Sequence, residues 1–451
     1  MEIIKKRIVL ACGMRTPIGH INKSLADLRP DEMGTMAIRS VIEKAKIDPK
    51  LVDGVLMGWV GQLSNAPNIA RVCALNAGMS EQSVAFTLHV NCVSGIEAVA
   101  SAARQILVGE GELFIAGGTE SMSSFPYTIR GARRYRGLKT LNDVKKNWNT
   151  LLEDPHIEIG DCMLEGLRDP VKGMIMAETA EILAQLYDIS RDEQDHYAVE
   201  SYRRAIEGIR KGVFKPYVSP VIKNGTVLLS EDENPLQREN FVLDPEKAKK
   251  APALFDNEAY PFKNFWASYG HEIRGKKYID GKTHGTITAF NSCPRSDGAA
   301  AVIVTTDTKA KELGLDIIAE LKSWGFTGVN PALMGVGPTF ATEKALERAK
   351  VSFDKLDILE LHEAFAAGCL AIFKVGQNKF GHHWQEKWKA GQVNPYGGSI
   401  ALGHPLAASG TRILLNLGYE LKASPKGKLG LAAACAAGGV SGSAVLEKYE
   451  G

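Results

Sequence analysis

Four side chains stand out as able to do chemistry: Cys92 in Val90-Asn91-Cys92-Val93-Ser94-Gly95, His362 in His362-Glu363-Ala364-Phe365, His404 in Gly403-His404-Pro405, and Cys435 in Cys435-Ala436-Ala437-Gly438-Gly439. Two thiols and two imidazoles suit acyl transfer between thioesters. One thiol carries an acyl group and the other moves a proton, while the imidazoles activate the nucleophile and stabilise oxygen that becomes negative.

Each of the four has a plainer explanation. A free cysteine is most often a small buried hydrophobe. Cys92 departs from that pattern because Ser94-Gly95 and a helix follow it, and the partial positive charge of helix N-terminal amides lowers a thiol pKa from about 8.5. His404 lies in a glycine-rich stretch, Asn394 to Pro405, that lets backbone come close to another group. Cys435 follows an alanine-rich strand and precedes Gly438-Gly439, so it is placed at a strand end where a tight turn exposes amides. His362 carries the weakest signal of the four taken singly, and the pair His382-His383 reads as a solvated surface pair.

The elements that must position these groups alternate between strand and helix. Residues 7–13 read as a buried strand ended at Thr16-Pro17, residues 31–46 as a helix capped by Asp31, and 53–59 as a strand. A helix follows over 94–108, then a strand from Glu112 to Ala116 broken at Gly117-Gly118. The order returns near the C-terminus: a helix from Thr339 to Lys350, the strand Ile358–Leu361, a helix after His404 with Pro405 in its first turn, and a strand from Leu429 to Ala434. One unit is used twice, with Cys92 before a helix in the first copy and His404 before a helix in the second. Copies facing each other across a pseudo-twofold axis would bring two helix N-termini to one pocket. Between them, from about Ser121 to Lys282, charged helices and loops read as a long insertion. It includes a capping box at Ser190/Glu193 and a basic stretch of Arg130, Arg133, Arg134, Arg136, Lys139, Lys145 and Lys146 with Trp148. Lys374–Lys389 reads as a further polar insertion.

Composition narrows the classes. A chain of 451 residues with 45% hydrophobic content builds two or three packed units. Its 54 basic and 52 acidic residues nearly cancel, so no overall field draws it to nucleic acid. Seven cysteines without a CxxC pair argue against a disulfide framework or a zinc ribbon and for a reducing compartment, the cytoplasm by default. No run of about 18 apolar residues is present, and no signal peptide is expected. Gly335-Val336-Gly337-Pro338 lacks dinucleotide-site spacing, and no Walker sequence occurs.

Taken together, these motifs resemble the thiolase family over essentially the whole chain. Matching blocks follow in family order: Arg15-Thr16-Pro17-Ile18-Gly19, Cys92-Val93-Ser94-Gly95, Gly117 to Met122, Met176 to Glu181, Asn291 to Ala300, Gly337-Pro338 to Leu346, His362 to Phe365, and Gly403-His404-Pro405. The resemblance implies an α/β fold of duplicated halves in an α-β-α-β-α layering. Its division would be an N-terminal half at 1–121 completed by 282–306, an inserted loop domain at 122–281, and a C-terminal half at 307–451.

It further implies an acetyl-CoA C-acyltransferase or C-acetyltransferase that cleaves 3-ketoacyl-CoA with coenzyme A, or condenses two acetyl-CoA molecules. In that scheme Cys92 is the acyl carrier, His404 takes its proton, and Cys435 is the acid/base at carbon. His362 and His404 form one oxyanion hole, and the N–H groups of Cys92 and Ala437 form a second. Cys293 and Gly438 would contact substrate. Coenzyme A is a substrate, and no bound cofactor or metal is expected. His362 in place of asparagine, and the long segment between His362 and His404, resemble degradative and trifunctional-complex members. Those features point to fatty acid β-oxidation and a homodimer or homotetramer, and they leave residues 130–148 either docking on a partner subunit or an anionic membrane or forming a solvated lid over the coenzyme A groove. Two departures from the family pattern bear on the site: Ala437 replaces a glycine, and Cys293 replaces a serine. A decarboxylating ketoacyl synthase, which needs no second catalytic thiol, and a non-catalytic acyl-CoA carrier are the competing readings.

Overall fold

Runs of small and β-branched residues become the strands of the computed structural model, which describes residues 6–134, 138, 140–242 and 244–451. The strands are β1 (Ile8–Arg15), β2 (Gly19–His20), β3 (Gly54–Gly58), β4 (Val84–Leu88), β5 (Leu113–Ser121), β6 (Tyr127–Arg130), β7 (Glu158–Asp161), β8 (Val221–Lys223), β9 (Thr226–Leu229), β10 (Ser296–Thr306), β11 (Ile317–Gly328), β12 (Ile358–Leu361), β13 (Leu429–Cys435) and β14 (Val440–Glu447). Ten of them form one sheet, nine along the hydrogen-bonded path β12-β13-β14-β11-β1-β10-β5-β3-β4 and β2 added to β10.

The duplication is written in the pairing. In the first half β1 pairs antiparallel with β10, β10 antiparallel with β5, and β5 parallel with β3. The second half repeats it: β11 antiparallel with β14, β14 antiparallel with β13, and β13 parallel with β12. The halves join where β1 and β11 run antiparallel, with a register shift after Leu10. The first half alone continues outward, to the edge strand β4.

Two helices, Ser94–Val108 and Leu406–Ala423, pack against each other, and the second touches strands of both halves. They form the middle layer. The Pro30–Ala45 helix covers the first half from its other side, and the Gly337–Ala349 helix covers the second. The crossing is close: a Cβ on Gly95 would lie 2.4 Å from the Thr411 nitrogen. The two helix N-termini, and with them Cys92 and His404, are thereby brought together.

Several expectations change. Asp31 is not the cap; Arg29 is, with Glu32 accepting its N–H at 2.9 Å, and Asp31 lies in the first turn paired with Arg29 at 2.8 Å. Gly117-Gly118 does not break a strand, because β5 runs through it. The glycines serve approach instead, since a Cβ on Gly118 would sit 2.1 Å from the Ala407 carbonyl oxygen. Pro405 caps the following helix rather than entering its first turn. The supposed polar insertion 374–389 continues a helix to Phe380 and then buries Trp384 and Trp388 in the main core. His382 is buried rather than solvated, stacked on Phe353 with ring centroids 4.4 Å apart and 3.2 Å from Glu343. Within 122–281 the Arg191–Lys211 helix is no loose excursion, since Tyr197, Tyr202 and Ala205 join the main core. The Ser190/Glu193 capping box is present. No helix among the described residues is long and apolar enough to cross a membrane.

Candidate active site

Cys92 lies in the turn that enters the Ser94–Val108 helix, where Val93 is the capping position and Asn91 adopts a left-handed φ of 48°. Ser94 stiffens the turn by donating to the Asn91 carbonyl at 2.7 Å and accepting the Val90 N–H at 2.9 Å. His404 is anchored through its N–H, which reaches Ser296 Oγ at 3.1 Å. Its Nε2 stands 3.1 Å from the Cys92 sulfur, and its Nδ1 lies 2.6 Å from Ser409 Oγ. A hydroxyl one turn into the helix thus orients the ring while the other nitrogen faces the thiol.

His362 follows β12. Its N–H donates to Ala433 at 2.8 Å, and Asn394 completes the strand end by exchanging hydrogen bonds with Leu361. The next residue, Glu363, is buried and holds Ser201, Tyr197, Asn394 and the Ile400 N–H, which ties this corner to the 394–400 segment. The His362 and His404 ring centroids are 4.2 Å apart. Cys92, His362 and His404 each place one donor atom within 4.8 Å of the others. Nδ1 of His362 is 2.8 Å from Ser399 Oγ, while its Nε2 is buried with no hydrogen-bond partner among the described residues.

Cys435 ends β13, and the chain then turns through Gly438 and Gly439, whose φ values are +80° and +78°. The left-handed geometry falls on those glycines, so Ala437 fits without strain. Asn91 Nδ2 donates to the Ala437 carbonyl at 3.0 Å and fixes that peptide beside Cys92.

Cys92, His404, Cys435, Ala437 and Cys293 line one cavity of about 320 Å³, walled by Met122, Leu164, Ile175, Leu254, Met334 and Phe365. Arg295 is the one charged side chain among its described lining residues, and it is exposed. His362 lies behind this cavity, beside a void of about 10 Å³ that it shares with Cys435. Ala437 also faces an outer cleft of about 890 Å³, which Gly438 lines with residues of 60–65 and 125–128. Another cavity, of about 900 Å³ around Tyr217, Tyr419 and Lys422, has none of the four reactive groups in its lining. Size alone does not mark the site.

The electrostatics differ from the sequence expectation in one respect. Burial pushes the Cys92 thiol well above its ordinary value, and the sulfurs of Cys435 and Cys293 add to this, while the N–H groups of Ala437 and Cys92 pull it down. Desolvation outweighs the helix amides. Burial also lowers His404 to about 3 and sends His362 well below its usual range, the Arg412 cation contributing to both. Cys435 and Cys293 are each raised to about 12 by burial. The resting site therefore holds neutral thiols and neutral imidazoles. It can pass a proton from Cys92 to His404 as the sulfur attacks, and it keeps a protonated thiol at Cys435 for a carbanion.

Sequence reasoning missed Ser399, Ser409, Asn91, Arg295 and Arg412. Of these only Arg412 left a signal: a lone cation in the otherwise uncharged stretch Leu406–Tyr419. It is buried, and its Nη2 donates to Ser399 Oγ at 2.7 Å.

Comparison with known proteins converges on the same assignment. Residues 8–258 match the model for the thiolase N-terminal domain, and residues 315–448 match that for the thiolase C-terminal domain. The chain is 34% identical over 447 residues to an acetyl-CoA acetyltransferase of Syntrophomonas wolfei, covering 98% of this chain and 99% of that one. It is 36% identical over 448 residues to a probable acetyl-CoA acyltransferase of Staphylococcus epidermidis, with the same coverage. Among solved structures, the Bacillus anthracis acetyl-CoA acetyltransferase superposes with a TM-score of 0.82 at 30% identity, covering 98% of this chain and 99% of that one. Human mitochondrial 3-ketoacyl-CoA thiolase in complex with CoA gives 0.81 at 28%, covering 99% and 98%. The chain belongs to the thiolase family of acyl-transferring enzymes.

Proposed function

We propose that this thiolase cleaves 3-ketoacyl-CoA with coenzyme A, or condenses two acetyl-CoA molecules in the reverse direction, by way of an acyl group on Cys92. The observation that carries the reading is the 3.1 Å contact between His404 Nε2 and the Cys92 sulfur, at a cavity that Cys435 and Ala437 also line. As the Cys92 sulfur bonds to C3 of the substrate, its proton passes to His404. The C3 oxygen becomes negative and accepts from the N–H groups of Cys92 and Ala437. The C2–C3 bond then breaks, and its electron pair forms the enolate of acetyl-CoA, whose oxygen accepts from His404 and His362. Cys435 gives its proton to C2, and acetyl-CoA leaves. Coenzyme A returns a proton to Cys435 and attacks the acyl-Cys92. The released Cys92 sulfur recovers its proton from His404.

Cys293 and Gly438 are proposed as substrate contacts, and Arg295, at the cavity's one charged position, as a contact for the polar part of coenzyme A. Wall residues from 122–281 support treating that segment as a loop domain over the cavity, with halves at 1–121 plus 282–306 and at 307–451. A homo-oligomer is supported by β4, an edge strand that exposes Val84 and Phe86. Fatty acid β-oxidation and the cytoplasm follow as the proposed setting, in keeping with free thiols. Docking of 130–148 on a partner or membrane has less support than the sequence alone offered. Arg130 is engaged by Glu158 and Glu165, and Arg136 and Lys139 lie outside the described residues.

The test is intact-mass detection of acyl-Cys92 after incubation with acetyl-CoA, together with turnover on 3-ketoacyl-CoA in both directions. No adduct and no turnover would leave a carrier. Condensation from a malonyl thioester that survives Cys435→Ala would favour a decarboxylating synthase.

A further inference from the structure

We infer that Ser399 and Arg412 form a relay that fixes the tautomer of His362, so that its Nε2 carries the hydrogen offered to the enolate oxygen; Arg412 is a positioning residue acting through Ser399. The inference rests on the reading of His362 as an oxyanion donor.

Arginine donates and never accepts. Its Nη2 lies 2.7 Å from Ser399 Oγ, so Ser399 is the acceptor in that contact. The serine hydrogen must then find another acceptor, and His362 Nδ1 is 2.8 Å away. If His362 Nδ1 carried a hydrogen instead, Ser399 would receive two donors and its own hydrogen would be left buried without a partner, which is costly. The favoured arrangement is Arg412 to Ser399 to His362 Nδ1, which puts the ring hydrogen on Nε2.

The other ring nitrogen is open to a ligand: His362 Nε2 is buried with no partner among the described residues. His404 has the complementary arrangement: its Nε2 faces a thiol whose proton it must take, and so must be unprotonated at rest. Two adjacent imidazoles are thus held in opposite tautomers by different hydroxyl groups, Ser399 and Ser409. Arg412 also sits within electrostatic range of both rings and disfavours an imidazolium at either.

The relay is tested by a double-mutant cycle between Ser399→Ala and His362→Asn. An asparagine amide donates without any tautomer to choose, so it does not need the relay. In the parent enzyme, Ser399→Ala is expected to lower kcat for 3-ketoacyl-CoA cleavage about 10- to 100-fold with little change in KM, part of the 10²–10³ attributable to one oxyanion donor. Exchange of labelled coenzyme A into acetyl-CoA forms no enolate and is expected to fall far less. In the His362→Asn background the same substitution is expected to cost less than about threefold in cleavage. Equal losses in both backgrounds, or equal losses in cleavage and exchange, would overturn the relay and leave Ser399 a packing residue. Arg412→Lys, which keeps a buried cation and a donor, is expected to recover more cleavage activity than Arg412→Met; no difference between them counts against the relay. If His362→Ala itself leaves cleavage intact, the reading of His362 fails instead. ¹⁵N NMR of histidine-labelled enzyme, assigned with His362→Asn, is expected to show hydrogen on Nε2 of His362 in the parent. Hydrogen on Nδ1 would refute the inference directly.

Discussion

The resting state of Cys92 can be tested by alkylation across pH. Moving its proton to His404 takes hydrogen from a thiol that burial holds well above its ordinary value to a base lowered to about 3. The resulting thiolate and imidazolium attract each other at 3.1 Å, by about 5 kcal/mol at an effective dielectric of about 20. Each unit of separation between the two groups opposes the transfer by about 1.4 kcal/mol, so any separation beyond about four units keeps the neutral pair in the majority. The sign follows from burial, which favours the neutral form of both groups, so thiolate grows only as pH rises. Carbamidomethylation of Cys92, followed by peptide mass spectrometry and normalised to a small thiolate, is therefore expected to stay below about a tenth of the thiolate rate from pH 6 to 8 and to climb only in alkali. In the proposed mechanism, a bound thioester that accepts from the Ala437 N–H makes proton transfer productive. A full thiolate rate already at pH 6–7, lost in His404→Ala, would refute this reasoning. It would show that the helix amides before Ser94 prevail over desolvation.

Three further outcomes are expected. Cys435→Ala removes a thiol whose pKa, raised to about 12, keeps it protonated at neutral pH. The acetyl group on Cys92 should still form, but deuterium uptake at the methyl of acetyl-CoA in D₂O should fall at least about 100-fold, within the range for a positioned acid–base group; undiminished uptake would assign the proton elsewhere. Arg15 and Asp232 form a buried bidentate pair at 2.7 Å, so Asp232→Ala should cost about 3–5 kcal/mol in urea unfolding, and a loss under 1 kcal/mol would contradict an uncompensated buried cation. Burial raises the Glu120 carboxyl to about 7, above its ordinary 4.5, so the stability it contributes is present below pH 4.5 and is lost as pH rises through 7. Glu120→Gln should flatten the fall in unfolding free energy between pH 5 and 7 by up to about 3 kcal/mol, and an unchanged slope would exclude Glu120 as its source.

What the sequence made legible were features with local causes. The 94–108 and 358–361 elements, the Ser190 capping box and the repeated strand–helix order each rest on periodicity or on residues a few positions apart, and each is found where expected. Cys92, His404 and Cys435 are placed by that order too, since each adjoins an element end. The misses have non-local causes. Gly117-Gly118 looks like a break unless one knows that Ala407 packs against it from nearly 300 positions away. His382, Trp384 and Trp388 look polar by company, but burial depends on Phe353 and Phe373, which come from other elements. The Cys92 environment reversed an electrostatic expectation because a helix N-terminus is visible in sequence and desolvation is not. Ser399 carried no signal at all, since its meaning depends on Arg412 and His362 meeting around it.

The duplicated scaffold is used asymmetrically, and this explains why the site needs both halves. Each half ends its paired parallel strands on the same side. In the second half these ends carry His362 after β12 and Cys435 at the end of β13. The corresponding places in the first half are Trp59 after β3 and Glu120-Ser121 at the end of β5, and they do no chemistry. Glu120 instead accepts N–H groups from Val60, Gly61 and Ala407. Ala407 lies in the first turn of the helix that follows His404, so a strand end of one half fastens the catalytic helix start of the other. The first half supplies Cys92 and the clamp; the second supplies His362, His404 and Cys435. Separating the halves would part Cys92 from His404 and so remove the 3.1 Å contact between thiol and imidazole.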